Sequence, residues 1–176
     1  PGAELQLRLA IGTSYQGLAN FDGMERALRP ALAMARRQHI EPDDLYVALL
    51  LVSNMRDHQG NPREQRQLAL ELLELAREQD PPKPHVLAIA LQTASRAYES
   101  EPARKDALLE EALKVLEPAC AGDTLALGRI LVEAGSSRHQ LGDLADARDL
   151  FERGLSMLRR VDPDGPSLVM ALMGLG

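Results

Sequence analysis

The sequence predicts an all-α protein built from antiparallel helix pairs, and three observations lead to this prediction. Hydrophobic residues make up 45% of the chain and aromatic residues only 3%, so Leu, Ala, Val, Ile and Met must form the core. This composition favours helices over strands. Apolar residues recur at intervals of three and four, as on one face of a helix. The pattern also repeats along the chain, which is typical of stacked helical repeats.

Four gap-free segments of fifteen residues carry the repeat. Their spacings are 41, 40 and 42 residues, and they start at Leu18, Gln59, Glu99 and Leu141. Six residues before each start stands a small residue: Gly12, Ser53, Thr93 or Gly135. Small residues let two helix backbones approach to about 8 Å. We therefore expect a close helix crossing at each of these four positions.

Each repeat is predicted to contain two helices. The first helices are expected at about 5–18, 44–58, 84–98 and 124–140, and the second helices at about 21–38, 62–79, 102–118 and 144–160. Asn20, Asn61 and Asp143 are residue types that cap helix N-termini. We expect Pro30, inside the first of the second helices, to kink that helix.

Turn-forming residues separate the repeats. They are Glu41-Pro42-Asp43, Asp80-Pro81-Pro82, Ala121-Gly122-Asp123 and Asp162-Pro163-Asp164-Gly165. The repeats then span about 5–40, 43–80, 83–120 and 124–161, and residues 166–176 begin the first helix of a fifth repeat. We expect a single repeat domain over residues 1–176. Because the chain starts at Pro1 without a Met, we expect it to be a fragment of a longer protein.

Composition and motifs argue against several functions. The formal net charge is −6 and the charges are mixed, so the basic stripe that nucleic acid binding requires is not seen. Apolar runs such as Ala48 to Val52 are too short to cross a bilayer, and Cys120 has no intrachain partner for a disulfide. We expect a soluble, cytoplasmic protein that contacts neither nucleic acid nor membrane directly.

The sequence contains no recognisable catalytic, phosphate-binding or metal-binding motif. No two of the four histidines have the spacing of a helical metal site, and phosphate-binding or nucleophile motifs are not found. Paired carboxylates such as Glu110-Glu111 are better explained as a solvated helix face. We therefore expect no catalytic, cofactor or metal site within this segment.

The fourth repeat resembles a tetratricopeptide repeat. That family has a small residue in its first helix, a Leu-Gly-Asp turn, and a second helix carrying Ala, an aromatic residue, a small residue and Leu. The matching residues here are Gly135, Leu141, Gly142, Asp143, Ala147, Phe151, Gly154 and Leu155. The other repeats depart from the pattern at Gln65, Gln92 and Lys105. The long period resembles the variety found in kinesin light chains and bacterial signalling proteins.

The resemblance implies a right-handed superhelical array, an α-solenoid, whose first helices line a concave groove. Such a groove is expected to bind a protein or peptide segment. The residues carried over by position are Gln6, Thr13, Gln16, Asn54, Asp57, His58, Tyr98, Arg129, Glu133, Ser136, His139 and Gln140.

Three functional hypotheses follow. The first is a protein-interaction scaffold that forms the regulatory or docking part of a larger signalling protein. The second is a sensing domain that binds a ligand or peptide and controls an attached kinase, cyclase or DNA-binding domain. The third is self-association as a homodimer through the unpaired helix of the fifth repeat, which carries Leu168, Val169, Met170, Leu172 and Met173.

Overall fold

The computed structural model describes residues 2–37, 42–122 and 124–176. Within these ranges the chain forms nine α-helices and no strand. The predicted turn residues Glu41 and Asp123, and one of the four histidines, His39, lie outside the described residues.

The chain divides into two compact units, Pro1–Asp80 and Pro81–Gly176. The first unit contains α1 (Gly2–Gly17), α2 (Phe21–Arg37), α3 (Pro42–His58) and α4 (Pro62–Arg77). The second contains α5 (Pro84–Ser95), α6 (Pro102–Leu116), α7 (Leu125–Gln140), α8 (Leu144–Val161) and α9 (Pro166–Leu175). Short 3₁₀ turns follow α5 at Arg96–Tyr98 and α6 at Glu117–Ala119.

Within each unit, helices pack against their neighbours in the chain. Each first helix (α1, α3, α5 and α7) packs on the second helix of its own repeat, and α2, α6 and α8 also pack on the first helix that follows. This confirms the predicted all-α fold of helix pairs. The predicted end of α6 near residue 118 was wrong by two residues, because Pro118 has no N–H to continue the helix. Helix α2 runs through Pro30, and its expected kink stays a prediction.

The turn between the two helices of a repeat has the same backbone conformation in three repeats. Ala19, Gly60 and Gly142 have φ values of 52°, 67° and 83°. The N–H of the next residue donates to the carbonyl five residues before it in each case. These are the features of a left-handed helix C-cap. The first repeat differs only in having Ala where the others have Gly.

The residue after this turn caps the second helix. The side-chain oxygens of Asn20, Asn61 and Asp143 accept hydrogen bonds from the backbone three residues on, at 2.9, 3.3 and 3.4 Å. The predicted caps are therefore confirmed. In the third repeat Glu101 makes no such side-chain bond.

The predicted small positions are buried where the two helices of a repeat cross. A Cβ added to Gly12 would lie 2.2 Å from Leu28 Cδ2, and one added to Gly135 would lie 3.0 Å from Phe151 Cδ1. Ser53 and Thr93 are buried as well. A larger side chain at Gly12 would have to displace Leu28, so the small residue sets the distance between the helices.

A buried arginine joins three helices in the first unit. Arg56 of α3 donates to Glu25 of α2, with Nη2 2.7 Å from Oε1, and its Nε lies 2.8 Å from the Glu64 carboxylate of α4. The hydrogen bond from Arg56 holds the pKa of Glu25 below its ordinary value. Arg56 thus connects the second helix of one repeat with both helices of the next.

The second unit repeats this arrangement at the same register. Arg138 of α7 pairs with Asp106 of α6 at 2.9 Å and approaches Asp146 of α8 at 3.9 Å. Burial raises the pKa of Asp106 despite the nearby guanidinium. We call the two groups, Glu25–Arg56–Glu64 and Asp106–Arg138–Asp146, the arginine bridges. The aligned segments place all six residues at matching positions.

Replacing Ala19 by Gly should stabilise the protein. Residues other than glycine lose roughly 1 kcal/mol or more in the left-handed region, so Ala19→Gly should raise the unfolding free energy by about 0.5 kcal/mol. Urea denaturation would measure the change. Ala10→Gly, at an exposed position inside α1, should lower the unfolding free energy by about 0.5–1 kcal/mol. Loss of stability in both variants would contradict the strain at Ala19.

Removing the first arginine bridge should destabilise the chain in a pH-dependent way. Arg56→Met leaves Glu25 without its main partner and should cost about 1–3 kcal/mol at neutral pH. Because the folded pKa of Glu25 is lowered, this stability is present above its unfolded pKa. It should be lost as the pH falls below about 4.3 and through the folded pKa.

The matched control for this prediction is Arg29→Met. Arg29 also pairs with Glu25, at 3.6 Å, but its side chain is 75% exposed, so its loss should cost less than about 0.5 kcal/mol. Denaturation curves between pH 3 and pH 7 would compare the two variants. Equal effects of the two substitutions at neutral pH would show that the arginine bridge contributes no more than a surface ion pair.

Candidate functional site

An open cleft in the second unit collects three of the sequence-predicted residues. Ser136, His139 and Gln140 of α7 line a cleft of about 400 Å³. The remaining lining residues come from α8 and α9, and they are Phe151, Met170, Met173, Gly174 and Gly176. We call this the α7–α9 cleft. Its lining contains no Asp, Glu, Lys or Arg, so it presents apolar surface with three uncharged or weakly basic polar groups.

The ring of Phe151 forms the inner wall of the cleft because glycines flank it on two sides. A Cβ on Gly135 of α7 would lie 3.0 Å from the ring, and a Cβ on Gly174 of α9 would lie 2.4 Å from it. Phe151 belongs to a buried cluster with Ala147, Leu155 and Ala171. The aromatic position of the repeat therefore serves both the core and the cleft.

A second, smaller cleft lies on the other side of His139. It has a volume of about 290 Å³ and shares His139, Gly174 and Gly176 with the α7–α9 cleft. Its other lining residues are Leu144, Ala147, Arg148 and Leu175. His139 is exposed, and its side chain borders both clefts.

Glu133, another predicted residue, belongs to a polar cluster between α5 and α7. Its Oε1 accepts from Gln92 Nε2 at 2.9 Å and from Arg96 Nη2 at 2.7 Å. Its Oε2 and the Nε of Arg129 are buried and have no hydrogen-bond partner among the described residues. A ligand that binds Glu133 Oε1 would have to compete with two existing donors, whereas the α7–α9 cleft is open.

The predicted groove residues did not include Gln92 and Arg96, the two residues that bind Glu133. Gln92 is only 6% exposed, and a polar amide at a normally apolar position of the repeat is the sequence feature that could have identified it. Arg96 stands at the register of Arg56 and Arg138, but Arg104 replaces the acid of the following helix. Arg96 therefore pairs with Glu133 instead.

The predicted residues of the first unit lie on separate parts of α1 and α3. Gln6 donates to Asp44, and the Thr13 hydroxyl donates to the carbonyl of Leu9 at 3.0 Å. His58 stacks on Phe21 with ring centroids 5.4 Å apart. Asp57 is exposed, while Gln16 and Asn54 are half-buried. The role of these residues in binding stays a prediction.

Tyr98 is a correction to the predicted set. Its side chain is 2% exposed, and Arg104 covers its ring at 4.2 Å, so it presents no free surface to a partner. The prediction assumed an α-helix up to residue 98, but Arg96–Tyr98 form a 3₁₀ turn. Since a 3₁₀ turn has about 3.0 residues against 3.6 in an α-helix, Tyr98 is rotated away from the assumed face.

Solved structures with similar folds were found, although no family model matches the sequence and no curated protein is detectably similar to it. BtubC (BKLC) from P. vanneervenii has 17% identity and a TM-score of 0.77, covering 99% of this chain and 71% of that one. The nearly identical TPR-like repeats of a Podosopora anserina kinesin light chain have 12% identity and a TM-score of 0.74, with coverages of 97% and 82%.

A third similar structure is the Signal Transduction ATPase with Numerous Domains (STAND) protein with a tetratricopeptide repeat sensor from Pyrococcus horikoshii. Its identity is 15% and its TM-score 0.72, and the match covers 97% of this chain and 26% of that one. The chain has a tetratricopeptide-type repeat fold. At these identities the likeness shows the fold alone. The α7–α9 cleft is therefore described from the geometry of this chain and not from the similar structures.

Over the described ranges, no three His, Cys, Asp or Glu residues are grouped so that they could hold a metal ion. Cys120 Sγ lies 3.7 Å from His85 Nε2 and 3.8 Å from Thr124 Oγ1. None of the helices in the described part of the chain has the length and apolarity needed to span a membrane.

Proposed function

We propose that this chain is a protein-interaction scaffold that binds a peptide or protein segment in the α7–α9 cleft. The observation that carries the proposal is the meeting of Ser136, His139 and Gln140 with the apolar Phe151 and Met173 in one open cleft. Apolar side chains provide contact area, and polar groups fix the register of a bound segment. Methionine side chains adapt their shape to different partners.

The size and charge of the cleft limit what it can bind. A volume of about 400 Å³ accommodates a few side chains rather than a whole domain. No Asp, Glu, Lys or Arg side chain lines it, so we expect it to bind an apolar side chain with flanking polar backbone groups. Groups with a high charge density would lose hydration without gaining a partner.

The place of this scaffold in a larger signalling protein is part of the same proposal. The fold is similar to that of a STAND protein whose tetratricopeptide repeats are described as a sensor. That likeness supports a docking or sensing role for this chain, and the open cleft supplies the surface at which such a role would be exercised.

Peptide selection tests the binding proposal. A random peptide display library selected on the chain should yield ligands whose affinity depends on His139 and Gln140, both of which are exposed. For selected peptides that are then synthesised, the double substitution His139→Ala/Gln140→Ala in the chain should raise the dissociation constant at least about tenfold, or about 1.4 kcal/mol. Fluorescence anisotropy would measure it.

The control for peptide selection is Lys114→Ala/Arg159→Ala. Both residues are exposed on second helices of the same unit and line neither the α7–α9 cleft nor the smaller cleft beside it. The control should leave the dissociation constants unchanged. Winners that bind the wild type and the cleft variant equally well would place the binding surface elsewhere and refute the proposal.

A further inference from the structure

Arg129 differs from the other arginines of α1, α3 and α7 because it has no carboxylate partner. Arg8, Arg56 and Arg138 each pair with an Asp or Glu side chain. Arg129 is half-buried, and within the described ranges its Nε is buried without a hydrogen-bond partner and its guanidinium forms no ion pair. A partly desolvated guanidinium without a counter-charge costs free energy, so an anion that reaches Arg129 would offset this cost.

The acidic residue one helical turn after Arg129 does not neutralise it. Glu133 Oε1 accepts from Gln92 Nε2 at 2.9 Å and from Arg96 Nη2 at 2.7 Å. Its Oε2 has no hydrogen-bond partner in the described part of the chain, so no such bond joins it to Arg129. Because Glu133 balances the charge of Arg96, the positive charge of Arg129 remains uncompensated on this wall of α7.

Arg129 lies on the stripe of α7 that leads to the α7–α9 cleft. At about 100° per residue, positions 129, 133, 136 and 140 fall within about 60° of one another. The cleft is lined by α7 residues between 136 and 140, and the midpoint of that range lies about nine residues, or about 13.5 Å, after Arg129. An extended segment covers this distance in about four residues, and residues four apart point to the same face.

We propose that Arg129 selects an acidic residue in the bound segment, four positions from the apolar residue that fills the α7–α9 cleft. The inference rests on the proposed scaffold function and deepens it by naming a second position that determines specificity. A carboxylate matches a guanidinium because its two oxygens can accept two parallel hydrogen bonds. A backbone carbonyl would also accept a bond, but it would leave the charge of Arg129 uncompensated.

The overall charge of the chain cannot produce this preference. The formal net charge is −6, so the long-range field of the protein disfavours acidic ligands. A preference for Asp or Glu therefore has to come from a local contact, and it should be confined to one position of the bound segment.

The peptide display library described above provides the first measurement. Among peptides whose binding depends on His139 and Gln140, Asp or Glu should be enriched four positions from the apolar residue. Selection on Arg129→Glu should instead enrich Lys or Arg at that position, because the substitution reverses the charge on the wall.

A double-mutant cycle on one selected peptide measures the contact itself. Replacing the acidic residue of the peptide by its uncharged amide should raise the dissociation constant for the wild-type chain about tenfold, as expected for the loss of a hydrogen bond between charged groups. The same replacement should have no effect on binding to Arg129→Gln. The uncharged peptide should bind both chains equally, which would show that the cleft is intact in the variant.

The matched control is Arg159→Gln. Arg159 is an exposed arginine of α8 that lines neither the α7–α9 cleft nor the smaller cleft beside it. This variant should retain the full tenfold dependence on the acidic residue of the peptide.

Two outcomes would overturn the inference. Peptides that depend on His139 and Gln140 but show no acidic preference would mean that Arg129 does not select the ligand. A tenfold effect that persists in Arg129→Gln would mean that another group binds the acid. In both cases the scaffold proposal stands, whereas peptides that bind without His139 and Gln140 would refute the scaffold proposal itself.

Discussion

The close crossing of each first helix with its own second helix is the constraint on which the rest of this structure depends. At Gly12 a side chain of the second helix occupies the space where a Cβ would be, and at Gly135 a Cβ would lie 3.0 Å from the ring of Phe151. Because the helices approach this closely, the large side chains Leu28 and Phe151 can reach across and fill the core. The Phe151 ring also lines the cleft, so the crossing that stabilises the fourth repeat also shapes the candidate site.

Charged residues are compatible with the interior of this fold where they have specific ion-pair partners. Lys105 is 6% exposed and its ammonium lies 2.6 Å from a Glu99 oxygen. Arg56 and Arg138 each connect helices of two repeats. Buried charge needs such pairing, and these ion pairs constrain the register in which neighbouring repeats stack. Degenerate tetratricopeptide positions therefore need not weaken the array.

The candidate cleft presents polar and apolar groups side by side. It combines three polar side chains of α7 with the Phe151 ring and two methionines of α9. The polar cluster at Glu133 differs, because Glu133 Oε1 already accepts from Gln92 and Arg96. Glu133 Oε2 and Arg129 Nε, by contrast, are buried without a hydrogen-bond partner among the described residues.

The amino-acid sequence alone determined the helix pairs, the caps at Asn20, Asn61 and Asp143, and the crossings at the small residues, because these depend on interactions within one repeat. The tertiary structure alone decided which predicted residues share a cleft. Ser136, His139 and Gln140 meet Met173, while Tyr98 is buried under Arg104. The packing of α9 on α7 and α8 forms the cleft, and the 3₁₀ turn at Arg96–Tyr98 places Tyr98 beneath Arg104. Both depend on packing between elements distant in sequence, which a periodic pattern does not encode.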